Sequence, residues 1–325
     1  MHAPHGQRIR LQITCLTVIL LAGAAPLAAV AGDYHAPRNA AGQPDLEGVW
    51  ANGSFTGLER PKTLKGLVIS EQEAKASEAN FTRTGNAAGN EDPLGQKESE
   101  FWDVGSGFAR VRGQIRTSWI VDTSDGRLPF RPEIVKRFHY DDPNYVRPME
   151  NPEERSVTER CVASEGGYPP NLPSPDGNYL QIMQTKDSVV LVAEKYNDLR
   201  IVRMGGSHAP AQVRSWAGDA VGHWEGETLV VENTNFSPSG FSRTGRLKLS
   251  AESKVVERFT RVGPSEILYA FSVTDPTVYT QTWRAEMPFH KTAARMFEYA
   301  CHEGNYFLGA ALAAARAAER QQAAK

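Results

Sequence analysis

His223 and Glu232 fall within one short stretch, residues 221–236 (VGHWEGETLVVENTNF). An imidazole beside a carboxylate is a proton-transfer pair, because the carboxylate fixes the ring tautomer and supports the developing charge. A second cluster, Cys301-His302-Glu303-Gly304-Asn305-Tyr306, repeats the combination beside a cysteine. His223 and His302 are therefore the candidate proton-transfer groups, with Glu232 and Glu303 as their partners. Glu194, Arg200, Trp216, Asn305 and Tyr306 are the candidate ligand contacts. The plainer alternatives are a strand histidine bonding a backbone carbonyl at 223, and a structural corner at 301–306 whose side chains cap backbone groups. Glu194, next to apolar neighbours, could act as an acid or base, or could simply pair with Arg203 at a rim.

The stretch 221–236 reads as a hairpin, with Glu225-Gly226 as a two-residue turn and an alternating strand from 228 to 232. Pairing Trp224 with Glu227 places His223 opposite Thr228, on the face that carries Val230 and Glu232. Trp224, Glu227, Leu229, Val231 and Asn233 occupy the other face. Polar groups on both faces suggest a barrel whose interior holds more than side-chain packing. In a second hairpin, Asn197-Asp198 as the turn pairs Lys195 with Arg200, which sends Arg200 to the face opposite Glu194.

Along the chain, residues 45–50 read as a first strand, and Gly48-Val49-Trp50 has the G-x-W form of lipocalin-like barrels. Ser70 and Glu73 form a capping box for a helix over 70–80. Residues 85–107 are a polar connection, 116–122 a strand, 132–139 a short helix and 141–175 a long loop pinned by Cys161. Strands follow at 179–184, 188–196, 199–204, in the hairpin, and at 255–262, 266–273, 278–287 and 297–301; residues 308–324 are a terminal helix. Short turns without intervening helices make an antiparallel meander. The expected fold is mainly β, an antiparallel calycin/lipocalin-like barrel with a few peripheral helices and a C-terminal helix. The expected domains are a signal peptide over 1–31, a linker over 32–44 and one barrel domain with long loops over 45–325.

Arg8, Arg10, the apolar run 11–27 and Ala29-Val30-Ala31 have the form of a cleaved signal peptide, which implies a periplasmic or secreted protein with no stable membrane insertion after cleavage. Cleavage leaves Cys161 and Cys301, and in an oxidising compartment two thiols form a disulfide. The chain holds 36 basic and 38 acidic residues with no basic run, so nucleic acid is not an expected partner. Phosphate loops, dinucleotide fingerprints and serine-hydrolase elbows are absent, and no organic cofactor is expected. His208, His223, His302 and Glu303 are the residues that could ligate a metal, but none of their spacings forms a metal motif, and no metal is expected. Nothing in the sequence sets the oligomeric state.

Several motifs occur together: residues 46–50 (LEGVW), 58–61 (LERP), 159–161 (ERC), Glu194 with Asp198 and Arg200, 222–231 (GHWEGETLVV), 233–236 (NTNF) and 299–306 (YACHEGNY). In these the chain resembles a large family of exported proteins from environmental bacteria, a family of undetermined function, over nearly all of the expected mature chain. Relatives carry His where this chain has Asn197, so the resemblance leaves His223 and His302 as the histidines available for chemistry. The expected function is cofactor-free acid/base chemistry on a cyclic or aromatic small molecule, by a lyase or isomerase. The alternatives are a periplasmic small-ligand-binding protein without catalysis, and a structural envelope protein whose barrel is fully packed.

Overall fold

A computed structural model describes residues 34–88, 105–139, 149–163, 167–172, 177–238 and 247–324, without the side chains of 80–88. The expected signal peptide, most of the connection 85–107 and parts of the loop 141–175 lie outside these residues.

The strands in chain order are β1 (Gly48–Ala51), β2 (Val68–Ile69), β3 (Arg110–Val111), β4 (Gln114–Arg116), β5 (Tyr179–Gln184), β6 (Ser188–Ala193), β7 (Leu199–Met204), β8 (Asp219–Glu225), β9 (Thr228–Thr234), β10 (Lys254–Gly263), β11 (Glu266–Thr274) and β12 (Trp283–Thr292). Nine of them close into a barrel in the order β1-β12-β11-β10-β9-β8-β7-β6-β5, and β2-β4-β3 form a small separate sheet. Helices are α1 (Glu71–Ala88), α2 (Pro132–Arg137) and α3 (Tyr306–Ala323). The Ser70 capping box forms as expected, with Ser70 N–H donating to Glu73 at 2.9 Å and Glu73 N–H to Ser70 Oγ at 3.3 Å.

Strict alternation turns one set of side chains inward along each strand. On β10 the inward set is Val255, Glu257, Phe259 and Arg261, all buried. The interior is filled rather than hollow at its centre. Tyr269 packs among Phe259, Phe271 and Phe289, at ring-centroid distances of 4.7, 5.4 and 5.4 Å. Each such buried aromatic contributes on the order of 1.5–3 kcal/mol relative to exposure. Trp50, the tryptophan of the G-x-W stretch, is fully buried and donates its indole N–H to Leu46 O at 2.9 Å.

The barrel is mixed rather than wholly antiparallel, because β7 and β8 run parallel. Residues 205–218 carry the chain back along the wall before β8 starts, and Ser215 fastens them by backbone bonds with Asn235 and Ser237. One barrel end therefore has the tight turns 185–187, 226–227 and 264–265. The other end receives the longer connections, including 194–198 and 275–282.

Four expected elements differ. Residues 34–44, expected as a linker, are fastened to the barrel: Ala36 is buried, its N–H donates to Glu227 at 3.1 Å, and Arg38 pairs with the same carboxylate. Of the expected strand 116–122 only Arg116 is strand, as the last residue of β4 in the small sheet. Residues 119–121 instead lie along the free edge of β12, with Val121 N–H bonding Arg284 O and Glu286 N–H bonding Trp119 O. The strand expected at 278–287 begins at Trp283, because the Asp275 carboxylate organises a turn through the N–H groups of Ser250 and Thr277. Residues 297–301 form no strand.

Candidate functional site

The strongest concentration of buried polar chemistry lies inside the barrel. Leu191 pairs with Arg200 across β6 and β7, which turns both side chains inward, and Arg200 is 3% exposed. Opposite it, Glu257 is 0% exposed. Arg200 Nη1 donates to Glu257 Oε2 and, at 3.0 Å, to Asn233 Oδ1. Its Nη2 donates to Glu257 Oε1 at 3.0 Å and to Asn171 Oδ1 at 2.5 Å. Tyr269 O–H donates to Glu257 Oε1 at 2.6 Å, and Asn233 Nδ2 donates to Glu257 Oε2 at 2.7 Å. The Asn171 backbone N–H then donates to Tyr269 Oη at 2.9 Å.

Each Glu257 oxygen therefore accepts two bonds, which takes up the acceptor sites of the carboxylate. Burial pushes the Tyr269 phenol well above its ordinary range, and the neighbouring Glu257 charge adds to that, so it remains a neutral donor. The cluster is a fixed clamp rather than a mobile proton relay. It ties β7, β9, β10 and β11 to residues 167–172 at the loop-bearing end. One donor is left over: Arg200 Nε–H is buried and has no acceptor among the described residues.

The sequence-derived residues are placed differently. The β8–β9 pairing is Glu225 with Thr228 and His223 with Val230, so the turn is Gly226-Glu227 rather than Glu225-Gly226. Gly226, with φ +60°, occupies the first central position, the place where a type II′ turn takes glycine. His223 and Glu232 do share a face, but it is the outer one. The His223 side chain is 57% exposed and meets Glu225 at 3.1 Å, not Glu232. His302 and Glu303 are exposed in a turn before α3, so neither histidine lines the interior.

Asn305 bonds Glu159 O at 3.1 Å and faces Cys161, holding the corner that the Cys161–Cys301 disulfide closes. Tyr306 is 84% exposed. Trp216 packs with Val157, Ala163 and Tyr168 on the wall, beneath the Arg160 guanidinium at 5.7 Å. Glu194 lies outside β6, where it accepts the Phe297 N–H at 2.9 Å. The β6–β7 register shifts because Tyr196 and Asn197 both adopt positive φ, widening the expected two-residue turn. Of the named contacts, Arg200 alone belongs to the interior cluster. Glu257, Tyr269, Asn171 and Asn233 were not singled out, although Glu257 betrays itself by alternating in phase with Val255 and Phe259.

On the outer wall, His208 stands between two carboxylates. Its Nδ1 is 2.7 Å from Asp219 Oδ2 and its Nε2 is 3.4 Å from Glu232 Oε1. The Arg203 hydrogen bond at 2.7 Å is the main force that holds the Asp219 carboxyl far below the usual range, and the Ala209 N–H and His208 add to it. Burial tends to raise the Glu232 carboxyl, but Lys254 and His208 together outweigh it and leave the group below its ordinary value. This arrangement fastens the returning connection 205–218 to β8. Among the described residues, no group of three or more His, Cys, Asp and Glu side chains could hold a metal ion, and no helix is long and apolar enough to cross a membrane.

Comparison of the chain with protein-family models, curated proteins and solved structures gave no match.

Proposed function

We infer that this is an exported small-molecule-binding protein that holds its ligand at the loop-bearing end of the barrel, beside residues 167–172, which the buried cluster of Arg200, Glu257, Tyr269, Asn233 and Asn171 holds in place. The observation that carries this reading is the buried ion pair. Removing two charges from water costs several kcal/mol per ion, and a packed apolar pair of similar volume is often as stable. Such a pair is better suited to fixing the position of a segment than to holding a barrel together. The segment it fixes is 167–172, and the spare Arg200 Nε–H supplies a donor beside it. The lyase or isomerase expectation called for His223 and His302 in an enclosure, and their outward placement removes its support. Export to an oxidising compartment is supported by the Cys161–Cys301 disulfide together with the charged and apolar pattern of residues 8–31.

The test is untargeted metabolite profiling of purified protein incubated with a culture extract, comparing the wild type with Tyr269→Phe. The reading predicts a compound enriched unchanged on the wild type and depleted on a folded Tyr269→Phe variant. A compound converted to product would replace binding with catalysis. No enrichment, or equal enrichment on both proteins, would reject the reading.

A further inference from the structure

A separate cleft of about 300 Å³ lies between residues 60–65 and the turn 123–127, lined by Arg60, Lys62, Lys65, Ser124, Asp125 and Arg127 among others. Its floor is the Arg60 side chain, 7% exposed, whose Nη1 donates to Lys65 O at 3.0 Å and to Ser124 O at 3.1 Å. These bonds close the two segments on each other. The Arg60 N–H bonds Gly126 O at 2.9 Å, and Gly126 (φ +67°) packs so closely that a Cβ there would lie 2.8 Å from the Arg60 Cβ. The cationic floor is thus fixed by backbone contacts, and among the described residues no carboxylate forms an ion pair with it. Arg60 Nε–H is buried and has no acceptor among the described residues.

The rim is also cationic. Lys62 and Lys65 are exposed and, like Arg60, form no ion pair among the described residues. Arg127 faces Glu59 at 3.6 Å and donates to Arg60 O at 3.1 Å. Counting Asp125 and Glu59 against Arg60, Lys62, Lys65 and Arg127, two carboxylates face four cations. A concave site with an immobilised guanidinium, flexible ammonium groups at its mouth and a serine hydroxyl in its wall suits a compact tetrahedral oxyanion on a small body.

The geometry points to this cleft as an anion-binding site for a phosphate or sulfate monoester, with Arg60 as the fixed donor and Lys62 and Lys65 as the closing charges. It is independent of the ligand site at the loop-bearing end of the barrel, and neither depends on the other.

Inorganic phosphate and inorganic sulfate serve as probes in calorimetric titrations of the full chain at low ionic strength, with chloride at matched ionic strength as control. The variant is Lys62→Gln/Lys65→Gln, which leaves the Arg60 floor and its backbone bonds in place; circular dichroism checks its fold. The expected result is saturable binding of at least one oxyanion, weakened about tenfold or more in the double variant, since each lost contact is a hydrogen bond from a charged donor. A response no greater than that to chloride would overturn the proposal. So would saturable binding that the double variant leaves unchanged, because the anion would then sit elsewhere.

Discussion

The barrel carries two charge clusters built from the same residue types on adjoining strands, one facing in and one facing out. Inside, Arg200 and Glu257 are sealed from water and every Glu257 lone pair is taken. Outside, Glu225 shares itself between Arg258 at 2.6 Å and His223 at 3.1 Å while half exposed. Strand alternation alone decides which cluster a residue joins: Glu257 and Arg258 are neighbours in sequence and lie on opposite sides of the wall. Solvent then sets the energy. A buried charge that loses its partner stays buried, whereas an exposed one is rescued by water.

Five variants bear on this contrast. Glu257→Gln leaves Arg200 without its counter-charge and should cost about 3–5 kcal/mol in urea denaturation. Combined with Arg200→Met, the total should fall short of the sum of the two single losses, because each single variant orphans the other charge. Removing the disulfide with Cys161→Ala/Cys301→Ala should cost about 2–5 kcal/mol, since it releases a long loop. Asp219→Asn, at the edge of the wall, should cost about 1.5–3 kcal/mol by weakening its charged hydrogen bonds. Glu225→Gln on the open face should cost less than about 1 kcal/mol; a loss there equal to that of Glu257→Gln would erase the distinction between inside and outside.

The interior cluster and the outer-wall carboxylate Asp219 predict opposite pH limits. Asp219 has a depressed folded-state pKa, so its stabilisation is present above the ordinary aspartate value of about 4 and is lost as pH falls below it. Tyr269 has a raised one, so its contribution is complete below about pH 10 and is lost as pH climbs past that value toward its folded pKa. Urea midpoints of wild type, Asp219→Asn and Tyr269→Phe across pH should show the acid limb flatten in the first variant and the alkaline limb in the second.

The strands themselves were legible in the sequence, since alternation over 179–204 and 254–274 is a local signal. Registers were less so. Turn widths depend on backbone conformations such as the consecutive positive φ values at Tyr196 and Asn197, of which the tyrosine gives no sign in its residue type. The face pairing of His223 with Glu232 was readable, but whether that face met solvent was not, because it depends on how the sheet closes. Glu257 illustrates the remaining gap. Its alternation with Val255 and Phe259 marks it as inward, yet its partners Arg200 and Asn233, and the Asn171 that Arg200 holds, are distant in sequence and are brought together only by barrel closure.

The most direct test is native-state hydrogen exchange of the Asn171 amide, which donates to Tyr269 Oη at 2.9 Å, in wild type and Tyr269→Phe. The interior clamp predicts that protection at Asn171 drops sharply in the variant while amides in β10 and β11 keep most of theirs. Equal protection at Asn171 in both proteins would mean that residues 167–172 are held by something other than the Arg200–Glu257–Tyr269 cluster.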